Sequence, residues 1–165
     1  IRKREEELLE MAFSGLDTIK GLRILADNVR NRLGVISFYI ENIHYNLVVQ
    51  LLNDKYGIQT RGGCACAGTY GHFLLEVSYE KSQEITDKIN HGDLSDKPGW
   101  IRWSLHPTMK NEEVEVMMVA LQDIVDNIGV YKNDYEHIVR SNIYKHKNQS
   151  AGNDFMSDWF TIEEN

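Results

Sequence analysis

Two cysteines and two prolines are all that this 165-residue chain holds of either residue. The cysteines, Cys64 and Cys66, stand two positions apart. A disulfide needs Cα atoms several Å apart and acts best between distant segments, so this pair cannot staple a framework. We expect reduced thiols and a cytoplasmic protein. So few prolines exclude Pro-rich disorder. Long hydrophobic runs are missing too. The longest, such as 117–121, fall far short of the roughly 18 residues of a membrane helix, and no membrane partner is expected. Positive charge is in deficit: 18 Lys and Arg against 25 Asp and Glu leave a net charge of −7. This excludes a basic nucleic-acid surface. The first residues, Ile1 to Glu7, lack the apolar core of a secretory signal. The chain does not open on Met, which leads us to expect a fragment or trimmed piece.

What is present is an ordinary globular mix, 42% apolar and 26% charged. The length fits one domain. Residues 4–13 have helical periodicity, with Leu8, Leu9, Ala12 and Phe13 on one side. Residues 22–26 read as a short strand. Residues 35–41 read as a second one, apolar enough to be covered on both faces. Asn42 is the expected N-cap of a helix over 43–56, which Gly57 ends. Residues 58–61 form another short strand and 61–68 a loop. Residues 72–78 fit helix or strand equally. A polar helix spans 80–91. Residues 100–106 alternate, with Trp100, Arg102, Ser104 and His106 on one face and Ile101, Trp103 and Leu105 on the other. Of the two tryptophans, one belongs to the core and one to an interface. The longest helix, 111–128, opens at Thr108 or Asn111 and carries an apolar stripe that is core packing. An amphipathic stretch, 131–146, precedes a polar tail containing Phe155, Trp159 and Phe160. This mixture points to an α+β, two-layer α/β unit: a small antiparallel or mixed sheet of 3–4 strands covered by helices.

The segment Arg61-Gly62-Gly63-Cys64-Ala65-Cys66-Ala67-Gly68 carries the chemistry. Its small residues allow close approach to a ligand. A thiol near a guanidinium is a candidate nucleophile, because positive charge lowers its pKa. A tight turn whose cysteines act as small hydrophobes is the equal alternative. Zinc is disfavoured. C-x-C is not the C-x₂-C spacing of a knuckle, and no second cysteine pair exists, though His44, His72 or His106 could in principle complete a site.

Two strings, GIQTRGGCACAGTYGHFLL (57–75) and KPGWIRWSLHPTMKNEE (97–113), resemble in order the C-terminal small domain of class V aminotransferases. These are fold-type-I pyridoxal-phosphate (PLP) enzymes. The closer resemblance is to their cysteine desulfurase and selenocysteine lyase branch, over about residues 22–135. It implies that Cys66, five positions after Arg61, attacks the sulfur of a PLP-bound cysteine to give a persulfide and alanine. It also implies that Arg102, in an R-x-S context, binds the substrate carboxylate, with Arg61 as a further substrate-binding residue. A planar guanidinium suits a carboxylate bidentately. Cys64, and Gly68-Thr69 in place of a proline, depart from the pattern. Cys64 reads as a small buried residue rather than a persulfide relay. The alternatives are a class V aminotransferase or other PLP lyase without a catalytic thiol, and a stand-alone thiol or interaction module.

In this family the PLP lysine and phosphate cup belong to a large domain that precedes the small one. No lysine here has that context. The resemblance thus implies residues 1–147 as the small domain, 1–21 as a connecting helix and linker, and 148–165 as a tail. It implies PLP in the full-length parent but none bound by this chain, and no turnover alone. The implied partners are the large domain, a second copy in the parent homodimer, an amino-acid substrate and a sulfur-acceptor protein. Leu8, Leu9 and Phe13 are expected to face the large domain. Of the accessory candidates, His72 reads as a structural strand-entry residue. For His106 the cleft-facing and structural readings are equally open.

Overall fold

The computed structural model describes residues 1–63 and 68–148. Its centre is a four-stranded antiparallel sheet of order β1-β2-β4-β3, from β1 (Leu22–Ile24), β2 (Val35–Ile40), β3 (Arg61–Gly63) and β4 (Trp100–Ser104). One face is apolar. Ile36, Phe38 and Ile40 of β2 and Ile101 and Trp103 of β4 are buried and join a single core. That core is completed by α1 (Arg2–Leu16), α2 (Tyr45–Tyr56) and α5 (Asn111–Tyr131). Alternation is the cause, since side chains two apart share a face of a pleated strand. The α+β architecture expected above is therefore the observed one, with the sheet wholly antiparallel.

Several elements differ from expectation. β2 alternates between buried and half-exposed residues, so it is covered on one face and not on both. α1 runs longer than 4–13, and Leu8, Leu9 and Phe13 are buried inside this chain against the core. They are not held out for a partner. Trp100 and Trp103 are both buried, at 5% and 4% exposure. Trp103 joins the core, and Trp100 lies on the opposite face of β4. Residues 72–78 divide between α3 (Gly68–Leu74) and the turn before α4 (Tyr79–Asn90).

α2 is capped by His44, whose Nδ1 accepts from the Asn46 N–H. Asn42 instead has φ of +60°, in the left-handed region that Asn tolerates. Gly57 ends the helix with φ of +66°, as its lack of a Cβ allows. α5 continues three residues beyond its expected end. At its start Lys110 N–H donates to the Glu113 carboxylate at 2.7 Å. After a short 3₁₀ turn, residues expected as one amphipathic stretch form a hairpin of β5 (Tyr135–Ile138) and β6 (Ile143–His146). The hairpin packs on α2, with Tyr135 buried in the common core.

Among the described residues, no helix is long and apolar enough to cross a membrane. The tail aromatics Phe155, Trp159 and Phe160 lie outside those residues.

Candidate functional site

The sheet face turned away from the core carries the charged residues. Arg102 on β4 pairs in register with Arg61 on β3 and with Ser37 on β2. Three side chains therefore stand abreast across three strands: Ser37, Arg102 and Arg61. Partners in an antiparallel ladder have Cα atoms about 5 Å apart. Ser37 and Arg102 are half-buried, and Arg61 is exposed. Among the described residues neither guanidinium has a carboxylate within ion-pair distance, whereas Arg23 and Arg30 are each paired with acids. Two adjacent cationic forks without a bound acid form an anion-receptive surface.

β3 is a strand for tertiary reasons. The sequence Arg61-Gly62-Gly63 has no side-chain pattern, and it was expected mainly as loop. It pairs with β4 along an edge where nothing larger than glycine fits at position 62. A Cβ at Gly62 would lie 2.5 Å from the Asn46 carboxamide oxygen and 3.1 Å from the Tyr45 ring. A Cβ at Gly99 would lie 2.6 Å from that ring and 3.0 Å from the Gly63 Cα. The N-terminus of α2 thus forms the bed on which the edge strand rests. β3 leads directly into residues 64–67. Cys64 and Cys66, the candidate thiols, lie outside the described residues.

The accessory histidines are accounted for individually. His72 lies in α3, not at a strand entry, and its Nδ1 is 2.7 Å from the Ser82 hydroxyl of α4, tying the two helices together. β4 ends at Ser104, so strand alternation does not extend to His106. That ring is exposed and hydrogen-bonds Thr108 at 2.8 Å. His44 stacks on Tyr45 at 4.5 Å and lies 5.1 Å from His137 and 5.3 Å from Tyr144. Among the described residues, no three His, Cys, Asp or Glu side chains gather as a metal site. Burial, reinforced by His137, pushes the His44 pKa down to about 4, against a smaller opposing effect of Asp96.

Sequence reasoning passed over Ser37, Tyr45 and Asn142. Ser37 lies in an apolar run and stands out only through its register with Arg102. Tyr39, on the same face of β2 two residues away, borders a cavity of about 390 Å³ with Leu75, Val77 and Ile85.

A Schiff-base cofactor requires a lysine held in an interior cradle. All ten lysines of the chain are described, and every one is exposed. The residues present do not fit the role of PLP anchor.

The fold and this face define a small α+β domain that presents two arginines in register, one of them on the strand that precedes residues 64–67. The aminotransferase class-V family matches residues 1–117, and the chain belongs to that family. It is 28% identical over 95 residues to a probable cysteine desulfurase 2 of Mycobacterium leprae, a match covering 56% of this chain and 22% of the relative. Its fold is similar to a cysteine desulfurase from Thermococcus onnurineus NA1, with a TM-score of 0.51 and 22% identity, over 76% of this chain and 26% of that one. Escherichia coli cysteine desulfurase CsdA aligns over 76% of this chain and 25% of its own length, with a TM-score of 0.48 and 17% identity. The chain thus spans about a quarter of the length of the relatives it matches.

Proposed function

We propose that this chain is the substrate-carboxylate and catalytic-loop domain of a PLP-dependent cysteine desulfurase-like enzyme. The observation that carries the reading is the register pairing of Arg61 with Arg102, two guanidinia on one sheet face without an acid partner among the described residues, with Arg61 five positions before Cys66. Arg102 holds the substrate α-carboxylate bidentately, and Arg61 adds a second cation where the loop begins. Fixing the carboxylate orients the amino acid, which lowers the entropic cost of reaction. The Cys66 thiolate then takes the sulfur. The substrate's C–S bond breaks, an S–S bond forms on Cys66, and the carbon takes a proton. The products are alanine and an enzyme persulfide.

PLP belongs to this family and acts as an electron sink when bound. The exposed lysines support placing its anchor in a preceding large domain. On this reading residues 1–21 enter from that domain, residues 148–165 form a tail, and the chain alone does not turn over. The complete protein is then a cytoplasmic homodimer that passes its sulfur to an acceptor protein.

The deciding experiment replaces Cys66 by Ala in the polypeptide that joins this chain to its PLP-binding part. Sulfide release from cysteine should disappear while PLP absorbance is retained. Sulfide release that survives the replacement overturns the desulfurase reading. It favours instead a class V aminotransferase or lyase that uses no thiol.

A further inference from the structure

Among the described residues, Asn142 is the one non-aromatic polar side chain that is buried, at 6% exposure. It sits at the end of the β5–β6 turn with φ of +53°, a conformation that Asn adopts more readily than most residues. Each of its polar groups is engaged. Its Nδ2 donates to the Tyr45 hydroxyl at 2.8 Å. Its Oδ1 is 2.9 Å from His137 Nε2 within the hairpin. Its main-chain carbonyl accepts from the Asn46 carboxamide. One residue of the hairpin thus holds two consecutive residues of α2.

Those two residues are the bed of β3. The Asn46 oxygen and the Tyr45 ring are the groups that would meet any Cβ at Gly62, and the Tyr45 ring also abuts Gly99 at the start of β4. The Asn46 carboxamide is oriented from both sides. Its nitrogen is tied to Asn142, and its oxygen therefore faces Gly62. A buried polar network of this kind is costly to break, because each lost partner leaves a desolvated group. The rings of His44, His137 and Tyr144 close over it, with His137 and Tyr144 stacked at 4.5 Å. The hairpin also lies beyond residue 117, where the family match ends.

We infer that the β5–β6 hairpin, through Asn142, is a positioning element for the edge strand β3: it sets Tyr45 and Asn46, which set the height of β3 and so align Arg61 beside Arg102. Asn142 acts only through these neighbours and is a positioning residue, not a catalytic one. The inference rests on the proposed reading of Arg61 as a substrate-binding residue, but its test does not need turnover.

The test uses this chain with Asn142→Gly, which keeps the left-handed backbone and removes only the side chain. Tyr45→Phe is the second variant and removes only the hydroxyl that Asn142 contacts. Hydrogen exchange is followed at Arg61–Gly63, at the hairpin and in α1 and α5. Alkylation of Cys66 by iodoacetamide is followed by peptide mapping, which separates it from Cys64. In either variant, exchange at Arg61–Gly63 should rise at least tenfold. The Cys66 alkylation rate should change at least threefold, while α1 and α5 keep wild-type protection. Exchange that rises in 135–146 alone, with Cys66 reactivity within twofold of wild type, overturns the inference and leaves Asn142 as a hairpin residue. If Asn142→Gly fails to fold, Tyr45→Phe decides by the same two readouts. Failure of the sulfide-release test on Cys66→Ala is a separate result, because these readouts report β3 and the loop whatever reaction they serve.

Discussion

Arg61 and Arg102 are direct register partners on the antiparallel strands β3 and β4, so two guanidinia rise from one face of the sheet about 5 Å apart at the backbone. Like charges side by side are unfavourable in a ladder. Arg61 is exposed, so water screens the repulsion, and on the proposed reading an anion bound between the two forks offsets it.

The first prediction concerns that anion. If the proposed function holds, Arg102→Ala in the full-length polypeptide should lower kcat/KM for cysteine about 100-fold or more, since hydrogen bonds to charged groups are each worth about 1.5–3 kcal/mol. The loss should appear mainly in KM. Arg102→Lys should recover only part of it, because an ammonium lacks the planar fork. Steady-state kinetics of both variants check this, and full recovery by lysine contradicts a bidentate contact.

The second prediction concerns pH. His44 has its pKa pushed down to about 4 by burial and by His137. An unfolded histidine titrates near 6.5. Between those values the unfolded chain binds the extra proton, so folding stability rises with pH. The contribution is complete above about pH 6.5 and is lost as pH falls toward 4. The ring is only partly buried, so solvent screening leaves an expected loss of about 1–2 kcal/mol between pH 7 and 4.5, smaller than the bare shift implies at about 1.4 kcal/mol per pH unit. Urea unfolding at a series of pH values measures it. His44→Asn keeps a capping side chain and should flatten the slope.

A third prediction contrasts two glycines. Gly99→Ala forces a Cβ against the Tyr45 ring and the Gly63 backbone and should cost about 1–3 kcal/mol, as overpacking does. Gly129→Ala, in α5 with nothing within 4 Å of the added methyl, should stabilise by about 0.5–1 kcal/mol. Denaturant midpoints of the two variants should move in opposite directions.

A fourth prediction tests whether α1 belongs to this fold. Leu8 is fully buried in the common core. Leu8→Ala should therefore destabilise the isolated chain by about 2–5 kcal/mol, the usual cost of such a truncation. A midpoint unchanged from wild type would return α1 to the role of a connector.

Local chemistry made much of this molecule legible in its sequence. The alternation of 100–104 placed Arg102 opposite Ile101 and Trp103, and the structure keeps that division. The 3.6-residue stripe of α5 and the left-handed Gly57 are also readable from residue types alone, because periodicity and backbone freedom are properties of short segments. The two motifs around Cys66 and Arg102 pointed to the family that the match over residues 1–117 shows.

Tertiary structure decided the rest. Arg61-Gly62-Gly63 is a strand only because Tyr45 and Asn46 bed it and β4 offers a free edge. Residues 135–146 are amphipathic in the sequence, and packing on α2 makes them a hairpin. Leu8, Leu9 and Phe13 are apolar wherever they go, and only the assembled core determines that they are buried within this chain. The few cysteines directed attention to the segment that follows Arg61. That Arg61 stands beside a second arginine, Arg102, is a matter of strand register, and register is set by non-local pairing that no short window of sequence contains.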